Sequence, residues 1–537
     1  MGTITDYREA KTALPKTYQA WQIFGAGFEN VGKDGQPSTL ELRPPKDNEI
    51  LLRVDALGLC LSDIKIIRQG SAHPRLRGRD LATDPTVLGH ECSVTVVAVG
   101  KQWQDTFKNG ERYIVQADIY YKGLSYAFGY MIPGGLAQYS YLDERALAGD
   151  EGCYLLPVRD ETGYSQAALA EPWACVEMSY NLEDRLEPKS GGTMLVVAAD
   201  AEDAKRSYPG AVIVPPQPEN LPDGPFDDIV ITKPTPAIVD ALAGKLAPGG
   251  VMYLLGQPVE DGIVTLDIGR IHYEDMRFFG GGGDVAAAGK ANARAELLPQ
   301  GNSLFIGAGG PMGQMHVQRA IQLPSGSKRV VVTDLDRQRL DHIEMRFGDM
   351  ARDKGVELFT LAPSDFGSPE EMDAKIRELS PDGYHDVCVL APVAPLVTQA
   401  CEFAADNALV NVFAGIPIGN PASIRLGDLC RGVKIIGSSG SRIRDLRRIL
   451  EMVEQGDLNT NLSVSAIGGL NSAREGLEGV RDARYPGKVV IYTQILDLPL
   501  MSLDEIPEQL PELADKLGPQ GCWSQEAEIA LLEKYLP

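Results

Sequence analysis

One glycine-rich run decides the fold of this 537-residue chain: Phe305-Ile306-Gly307-Ala308-Gly309-Gly310-Pro311-Met312-Gly313. It joins a short apolar strand to a helix-like segment at residues 314–323. Glycine permits a tight turn, lets the backbone approach a pyrophosphate, and lets the helix pack closely on the strand. Two registers are open, because Gly307-x-Gly309 reaches Gly313 one residue late whereas Ala308-x-Gly310-x-x-Gly313 is in step. The run predicts the dinucleotide-binding turn of a β/α unit.

A second strand ending in an acidic residue follows this turn. The run Arg329-Val330-Val331-Val332-Thr333 leads into Asp334, roughly 20 residues beyond the glycines, where a carboxylate can bind both ribose hydroxyls. The same carboxylate would repel a 2′-phosphate, so NAD is expected and NADP is less favoured. The alternative is an ordinary β/α turn in which Asp334 only caps a helix. The candidate cofactor-binding residues are Gly307, Gly309, Gly310, Met312, Gly313 and Asp334.

The region before the glycine-rich turn resembles the region after it. Phe226-Asp227-Asp228-Ile229-Val230-Ile231, for example, matches Tyr384-His385-Asp386-Val387-Cys388-Val389, and other matched segments keep the same order. Where the second copy has glycines, the first has Ala198-Ala199-Asp200-Ala201-Glu202-Asp203, whose carboxylates would repel a pyrophosphate. We interpret residues 190–290 as a degenerate dinucleotide-fold half without a cofactor, retained for packing or assembly. Shared architecture without common origin is the alternative.

A thiol, an imidazole and a carboxylate fall within one short segment of the front third of the chain. Gly58-Leu59-Cys60-Leu61-Ser62-Asp63 is followed by Leu88-Gly89-His90-Glu91. Zinc accepts this mixture of S, N and O ligands, and a catalytic zinc keeps one position open for water or substrate. A lone cysteine is more often a small buried apolar residue, and a lone histidine a satisfied polar group. The segment therefore indicates zinc only together with the rest of the chain.

Composition and charge exclude several classes of partner. The formal net charge is −23, so phosphate backbones and anionic lipid would be repelled. The 8 cysteines contain no C-x-x-C pair and no disulfide-like cluster, which is typical of a reducing cytosol. We expect a cytoplasmic protein that binds a small molecule, without nucleic-acid or membrane partners.

Taken together, these motifs resemble the medium-chain dehydrogenase/reductase superfamily, and within it the zinc-dependent sorbitol, threonine and alcohol dehydrogenases. The residues that carry the resemblance, in the family's order, are 58–63, 89–91, 134–139, 171–172, 307–313 with Asp334, and 487–490. Within the family, the chain most resembles the sugar-phosphate reductases of the sorbose-1-phosphate reductase kind.

The resemblance implies an α/β fold and a set of site residues. A GroES-like β-rich catalytic domain is expected at 1–189, with a return of the chain at 441–495. A Rossmann domain with a doubly wound parallel sheet is expected at 291–440, the degenerate insert at 190–290, and a C-terminal extension at 496–537. The implied metal ligands are Cys60, His90, Glu91 and Glu171, with the third ligand open between the two glutamates. The implied catalytic residues are Ser62, which takes the substrate proton, Asp63, which orients the histidine, and Glu91.

The sequence departs from the family pattern at two places. Residues 116–123, where a four-cysteine zinc lobe would lie, contain no cysteine, so one catalytic zinc and no structural zinc are expected. Lys65 stands where many members carry a relay histidine, which leaves the outer proton path open. Near the zinc motifs, His73-Pro74-Arg75-Leu76-Arg77-Gly78-Arg79 forms a basic loop, and arginine forks suit phosphate oxygens. The loop either holds a sugar phosphate or is a solvated surface loop.

Three functions compete at this point. The favoured one is a zinc-dependent, NAD-linked oxidoreductase that moves a hydride between the nicotinamide and a secondary alcohol or ketone of a polyol, sugar or sugar phosphate. The second is a zinc-free reductase of the same fold, in which Cys60 and His90 are relics. The third is a non-catalytic NAD-binding sensor or assembly protein. A homo-oligomer is expected. Zinc content and turnover distinguish the three.

Overall fold

The structure is a computed structural model and describes residues 4–324 and 326–536. The chain forms two compact units. One, here called the discontinuous unit, comprises the chain up to Glu177 and from Gly440 onward, and the central unit is Met178–Ser439. The finer five-part division expected from the sequence stays a prediction. Among the described residues, no helix has both the length and the apolar character needed to cross a bilayer.

The front part of the discontinuous unit consists mostly of short strands. Its strands are β1 (Thr17–Ala20), β2 (Gln22–Ile23), β3 (Ser38–Glu41), β4 (Glu49–Gly58), β5 (Thr86–Val87), β6 (Glu91–Val99), β7 (Arg112–Val115), β8 (Tyr120–Tyr121), β9 (Leu124–Ser125), β10 (Tyr139–Asp143) and β11 (Leu155–Pro157). Its helices are α1 (Ile4–Arg8), α2 (Leu61–Gln69), α3 (Glu144–Leu147), α4 (Tyr164–Ala168) and α5 (Ala170–Ser179). Every residue of β4 is buried, because β4 pairs with both β6 and β10.

The first half of the central unit is a five-stranded parallel sheet with helices between its strands. Its strands are β12 (Met194–Val197), β13 (Val212–Val214), β14 (Phe226–Ile231), β15 (Leu246–Leu255), β16 (Ile263–Asp267) and β17 (Arg277–Gly282). Its helices are α6 (Ala201–Ser207), α7 (Pro236–Ala243), α8 (Ile268–Tyr273) and α9 (Val285–Ala291). The sheet order is β13-β12-β14-β15-β17, and β16 lies outside it.

The second half repeats this plan with a sheet of six parallel strands and one further strand that lies outside the sheet. Its strands are β18 (Asn302–Ile306), β19 (Arg329–Thr333), β20 (Glu357–Leu361), β21 (Tyr384–Val389), β22 (Ala404–Val412), β23 (Pro421–Arg425) and β24 (Lys434–Gly437). Its helices are α10 (Pro311–Gln322), α11 (Arg337–Lys354), α12 (Pro369–Leu379), α13 (Ala394–Phe403) and α14 (Leu426–Cys430). The order β20-β19-β18-β21-β22-β24 confirms the predicted Rossmann-type parallel sheet. Its inner strands read as apolar runs because both faces are covered.

The chain then returns to the discontinuous unit. Its last strands are β25 (Val464–Gly469), β26 (Lys488–Tyr492) and β27 (Met501–Ser502). Its last helices are α15 (Ile443–Gln455), α16 (Ala473–Arg481), α17 (Ile506–Gln509), α18 (Pro511–Ala514) and α19 (Gln525–Tyr535). They complete a sheet of order β11-β7-β6-β4-β26-β25-β27, with β10 beside β4. The C-terminal residues belong to this unit, since Trp523 and Leu531 share a buried cluster with Tyr7 and Tyr492.

Candidate active site

Cys60 and His90 are tied together by one buried carboxylate. Cys60 is the N-cap residue of α2, directly beyond the end of β4. In the first turn of the helix, Asp63 Oδ2 accepts a hydrogen bond from the Cys60 amide at 3.1 Å. Its other oxygen, Oδ1, accepts from the Gly89 amide at 3.2 Å and lies 3.5 Å from His90 Nδ1. Asp63 is completely buried and accepts from both loops, so it fixes them relative to each other and places a carboxylate beside the imidazole.

Two glycines leave the space that this arrangement requires. A Cβ at Gly58 would lie 2.3 Å from Glu91 Oε2, so any side chain there would collide with the carboxylate. Gly89 has a φ of +90°, a backbone conformation that favours glycine, immediately before His90. The glycines of the two motifs are therefore part of the geometry of the site.

Three donor atoms, one each from Cys60, His90 and Glu91, lie within 4.8 Å of one another. Glu91 is fully buried, and its Oε2 has no hydrogen-bond partner in the structure. Its other oxygen accepts from Lys488 Nζ at 2.5 Å. A buried carboxylate oxygen without a partner, beside a thiol and an imidazole, fits a cation, and the S, N and O donor set suits zinc. The residues present therefore fit the metal that the sequence predicts.

Sequence reasoning missed Lys488 as a member of the site. The lysine opens β26, all of whose residues are buried, and only 4% of its side chain is exposed. Burial works to lower the pKa of Lys488, but the charges of Glu91 and Cys60 outweigh it and the pKa is raised. A lysine inside a fully buried strand was the available signal, since such a charge requires a buried partner. The partner is Glu91.

Glu171 lies in the first turn of α5 and is buried. It stands outside the group of three donors, although its charge interacts with those of His90 and Glu91. Burial, together with the nearby Glu91, raises the pKa of Glu171 to about 7, against the opposing effect of His90. For His90, burial works to lower the pKa, but Asp63 raises it well above its usual value. Which glutamate is the third ligand stays a prediction, and the geometry favours Glu91.

Ser62, the predicted proton acceptor, lies beside the thiol. Its Oγ accepts a hydrogen bond from Cys60 Sγ at 3.5 Å, and the residue is half-buried. Lys65 is exposed one turn further along α2. The hydroxyl can therefore exchange protons between the interior of the site and solvent.

One arginine of the basic loop approaches the site. The Arg75 guanidinium lies 4.8 Å from the centre of the Tyr130 ring, and that ring lies 5.8 Å from the His90 ring. Arg75 also pairs with Asp118. The other two arginines of the loop bind main-chain carbonyl groups and Asp84. Of the three arginines, Arg75 is the one that lies over the Tyr130 ring, and this ring packs beside His90.

The predicted dinucleotide turn lies in the central unit, between β18 and α10. Gly307 has a φ of +73°, which makes the tight turn, and Gly310 is the N-cap residue of α10. A Cβ at Gly313 would lie 2.4 Å from Ala308 Cα, so this glycine allows the helix to pack against the turn. The tight turn therefore uses Gly307 of one register, and the close packing uses Gly313, which both registers share.

Asp334 closes the turn from the end of β19. Its Oδ2 accepts a hydrogen bond from the Gly309 amide at 2.7 Å. The residue that caps α11 is Asp336, so the alternative in which Asp334 is the helix cap is wrong. Met312 is half-buried in the first turn of α10. The predicted cofactor-binding residues thus surround one helix N-terminus, the arrangement that binds a pyrophosphate.

The equivalent position of the first half carries a different residue pattern. Asp200 caps α6 by accepting from the amides of Glu202 and Asp203, both at 3.0 Å. A carboxylate thus occupies the helix N-terminus at which a pyrophosphate would bind. The interpretation of residues 190–290 as a degenerate half stays a prediction.

Comparison with known proteins defines the class. A family model described as the alcohol dehydrogenase GroES-like domain matches residues 46–149. The crystal structure of 2R,3R-butanediol dehydrogenase from Bacillus subtilis superposes with a TM-score of 0.54 at 16% identity, covering 89% of this chain and 99% of that chain. That likeness shows the shared fold. The matched domain and the shared fold support a place for the chain in the medium-chain dehydrogenase/reductase superfamily.

Three relatives match over 93–94% of this chain and 95–96% of their own length, and two of them are named for an activity. Mannitol-1-phosphate 5-dehydrogenase of Aliivibrio fischeri is 27% identical over 516 residues, covering 94% of this chain and 96% of the relative. L-sorbose 1-phosphate reductase of Klebsiella pneumoniae is 26% identical over 505 residues, covering 93% and 95%. At the level of class, the chain is an oxidoreductase that acts on alcohols.

Proposed function

We propose that this protein is a zinc-dependent, NAD-linked dehydrogenase that interconverts a secondary alcohol and a ketone in a polyol or sugar phosphate. One observation carries the proposal: the Cys60, His90 and Glu91 donors lie within 4.8 Å of one another, and the buried Glu91 Oε2 has no hydrogen-bond partner in the part of the chain that the structure describes. A thiolate, an imidazole and a carboxylate are a donor set that a catalytic zinc uses.

Cys60, His90 and Glu91 hold the metal in this proposal, and Glu171 completes or exchanges in the ligand set. When bound, zinc supplies Lewis-acid polarisation of the substrate oxygen. Asp63 keeps the imidazole oriented through Nδ1. Lys488 donates to Glu91 Oε1, so burying Glu91 does not leave an uncompensated charge, and Oε2 is the oxygen that would be free to bind the metal.

Proton transfer is assigned to Ser62. The oxidation of an alcohol releases one proton in addition to the hydride, and the nicotinamide takes only the hydride. The Ser62 hydroxyl lies next to Cys60 and is half-buried, so it can accept the proton from the substrate oxygen and pass it to solvent. No histidine stands at the next position of this path, where the chain has the exposed Lys65.

The coenzyme is assigned to the glycine turn of the central unit. The pyrophosphate binds at the N-terminus of α10, and Asp334 binds the ribose hydroxyls. The Asp334 carboxylate accepts a hydrogen bond from the Gly309 amide, so this carboxylate reaches the glycine turn. Since a carboxylate there repels a 2′-phosphate, NAD is the proposed coenzyme.

The phosphate group of the substrate is assigned to Arg75. Two of the full-length relatives are named for phosphorylated substrates, mannitol 1-phosphate and L-sorbose 1-phosphate. In this acidic chain a phosphate needs a local cation, and Arg75 lies above the Tyr130 ring that contacts His90. Its planar guanidinium can donate two hydrogen bonds to phosphate oxygens. To bind the phosphate, Arg75 would give up its present ion pair with Asp118.

The metal assignment is tested with two alanine variants. Cys60→Ala removes a proposed ligand, whereas Cys92→Ala removes a buried thiol outside the group of donors. We expect about one zinc per chain in the wild type and in Cys92→Ala, and loss of both zinc and NAD reduction in Cys60→Ala. Turnover without zinc would identify a zinc-free reductase. NAD binding without turnover over a panel of polyols and their phosphates would identify a sensor or assembly protein.

The phosphate assignment is tested with Arg75→Gln and its matched control Arg77→Gln. Arg77 belongs to the same loop but binds the Ser125 carbonyl at 3.2 Å, away from Tyr130. The readout is the ratio of kcat/KM for a polyol phosphate to that for the free polyol. We expect Arg75→Gln to lower this ratio at least about tenfold and Arg77→Gln to leave it within about twofold. An equal ratio in all three proteins would remove the phosphate assignment. A cytoplasmic location and a homo-oligomeric state stay predictions.

A further inference from the structure

The two halves of the central unit share one unusual set of hydrogen bonds. Arg185 Nη1 donates to Asp228 Oδ1 at 2.6 Å and, at 2.8 Å, to the main-chain carbonyl of the residue two positions after Arg185 itself. Arg294 Nη1 donates to Asp386 and likewise to the carbonyl two residues further on, at 3.0 Å. Each aspartate also accepts from the amide four residues beyond its arginine, at 2.8 and 2.9 Å. A set repeated at equivalent positions is the mark of a duplicated segment.

The two copies contact each other reciprocally. We call residues 184–291 the leading half and residues 294–437 the coenzyme half. Strand β16 of the leading half pairs antiparallel with β23 of the coenzyme half. The helix that follows each strand then packs on the last strand of the other half, α8 on β24 and α14 on β17. This exchange of equivalent elements is the pattern of a two-fold, isologous interface between subunits.

Glycines show how closely the halves approach. A Cβ at Gly437 of β24 would lie 2.9 Å from the His272 Cα of α8. A Cβ at the equivalent Gly280 of β17 would lie 2.0 Å from the carbonyl oxygen of Leu429 in α14. One apolar core spans both halves and includes Leu266 and Ile424 from the paired strands. The edge strand β24 is thereby covered, as an edge strand of a sheet requires.

One ion-pair cluster makes the interface asymmetric. Asp184 Oδ1 accepts from Arg277 Nε at 2.7 Å, and Asp184 Oδ2 lies 2.6 Å from Lys434 Nζ. Arg277 opens β17 and Lys434 opens β24, and no side chain of the three is more than 6% exposed. The position that matches Asp184 in the coenzyme half is Ala293. Two coenzyme halves therefore could not form this bridge with each other, because neither would supply a carboxylate to pair with the buried Lys434 of the other.

We propose that the leading half is a built-in partner subunit, which occupies within one chain the edge of the coenzyme half at which a second copy would otherwise dock. The loss of its own glycine turn follows from this role, because only its packing face is needed. Any homo-oligomer of the chain must then use a surface other than β24. The proposal depends on neither zinc nor nicotinamide.

A disulfide across the paired strands tests whether the contact is made within one chain. Thr265 lies directly opposite Ser423, and both are exposed. The Thr265 amide donates to Asp240 Oδ1 at 2.7 Å and not to the partner strand. Thr265 and Ser423 therefore form a non-hydrogen-bonded pair, the kind of antiparallel pair in which the two side chains lie close together. The full-length Thr265→Cys/Ser423→Cys variant is oxidised, and the bond is mapped by non-reducing peptide mass spectrometry, with the two single variants as controls.

We expect the bond between positions 265 and 423 in a species with the mass of one chain, at every protein concentration. A bond between two chains would overturn the proposal in favour of exchange of the leading half between copies. Absence of the bond would overturn it because the strands would not be paired.

The asymmetric bridge is tested with Asp184→Ala. Its matched control is Asp275→Ala, because Asp275 also pairs with Arg277, at 3.4 Å, but is 71% exposed. Hydrogen exchange is measured on the β17 and β24 amides of the full-length variants. We expect exchange at both edges to be at least about tenfold faster in Asp184→Ala and to change less than about twofold in Asp275→Ala. Equal exchange in the two variants, or acceleration at only one edge, would overturn the role of Asp184.

Discussion

Replacing Lys488 by methionine tests how the site holds Glu91. The lysine ammonium is the hydrogen-bond partner of Glu91 Oε1, at 2.5 Å, in a place where Glu91 is fully buried and Lys488 is 4% exposed. Methionine fills a similar volume without charge, so Glu91 would be left buried with neither oxygen partnered. Removing one member of a buried ion pair costs about 3–5 kcal/mol. We expect the metal-free discontinuous unit to lose this amount of unfolding free energy.

A double-mutant cycle separates the pair from its surroundings. Glu91→Gln alone leaves Lys488 buried without a counter-charge, so it should also destabilise by several kcal/mol. In Lys488→Met/Glu91→Gln both charges are gone, and we expect a loss of no more than about 1–2 kcal/mol because the desolvation penalty disappears with them. The two single effects therefore should not add, and the difference is the coupling energy of the pair.

Tryptophan fluorescence during urea unfolding is the assay. All four tryptophans, Trp21, Trp103, Trp173 and Trp523, lie in the discontinuous unit, so the emission reports this unit alone. Measurements with chelator and with added zinc should differ most in Lys488→Met, because a metal ion can supply the missing positive charge. The control is Lys65→Met, a change at an exposed lysine. An unchanged unfolding midpoint in Lys488→Met, or a double variant as unstable as the sum of the single variants, would refute this reasoning.

Three further predictions concern other parts of the chain. Glu528→Ala should destabilise the discontinuous unit by about 2–4 kcal/mol in the same assay, because Glu528 accepts two buried amide bonds at 2.6 and 2.7 Å; the exposed Glu533→Ala is the control. Burial lowers the pKa of His316 from 6.5 to about 3, so protonation of the unfolded chain should destabilise the central unit, by up to about 5 kcal/mol, as the pH falls from 6.5 to 3. Hydrogen exchange of the β18 amides, measured as a function of pH, should show this loss of stability in the wild type. An equal dependence of stability on pH in His316→Gln would contradict the prediction. Asp334→Ala should lower kcat/KM with NAD about tenfold and raise it with NADP, and an unchanged coenzyme ratio would count against the ribose contact.

The parts of the site that are local in sequence could be predicted. Cys60, Asp63, His90 and Glu91 lie within a short segment, so their residue types and spacing, together with the other motifs of the chain, predicted one shared site. The glycine turn and Asp334 belong to one β/α/β unit, for which the same holds.

Long-range partners could not be predicted, because no local pattern records them. Lys488 meets Glu91 across a separation of 397 residues, and a lysine at the start of an apolar strand was the only sign. Glu528 caps α4 from 364 residues away, so the C-terminal tail had no readable role. The internal repeat was visible in the sequence, but the reciprocal contact of its copies depends on which edges meet. That choice is made by buried residues such as Asp184.

X-ray absorption at the zinc K-edge of the purified wild-type protein tests whether Cys60 is a ligand of a bound zinc ion. We expect a four-coordinate shell with one sulfur at about 2.3 Å and the remaining nitrogen or oxygen ligands at about 2.0–2.2 Å. We also expect the sulfur scatterer to be lost in Cys60→Ala and retained in Cys92→Ala. A shell without sulfur in the wild type, or one whose sulfur persists in Cys60→Ala, would contradict the assignment of Cys60 as a ligand.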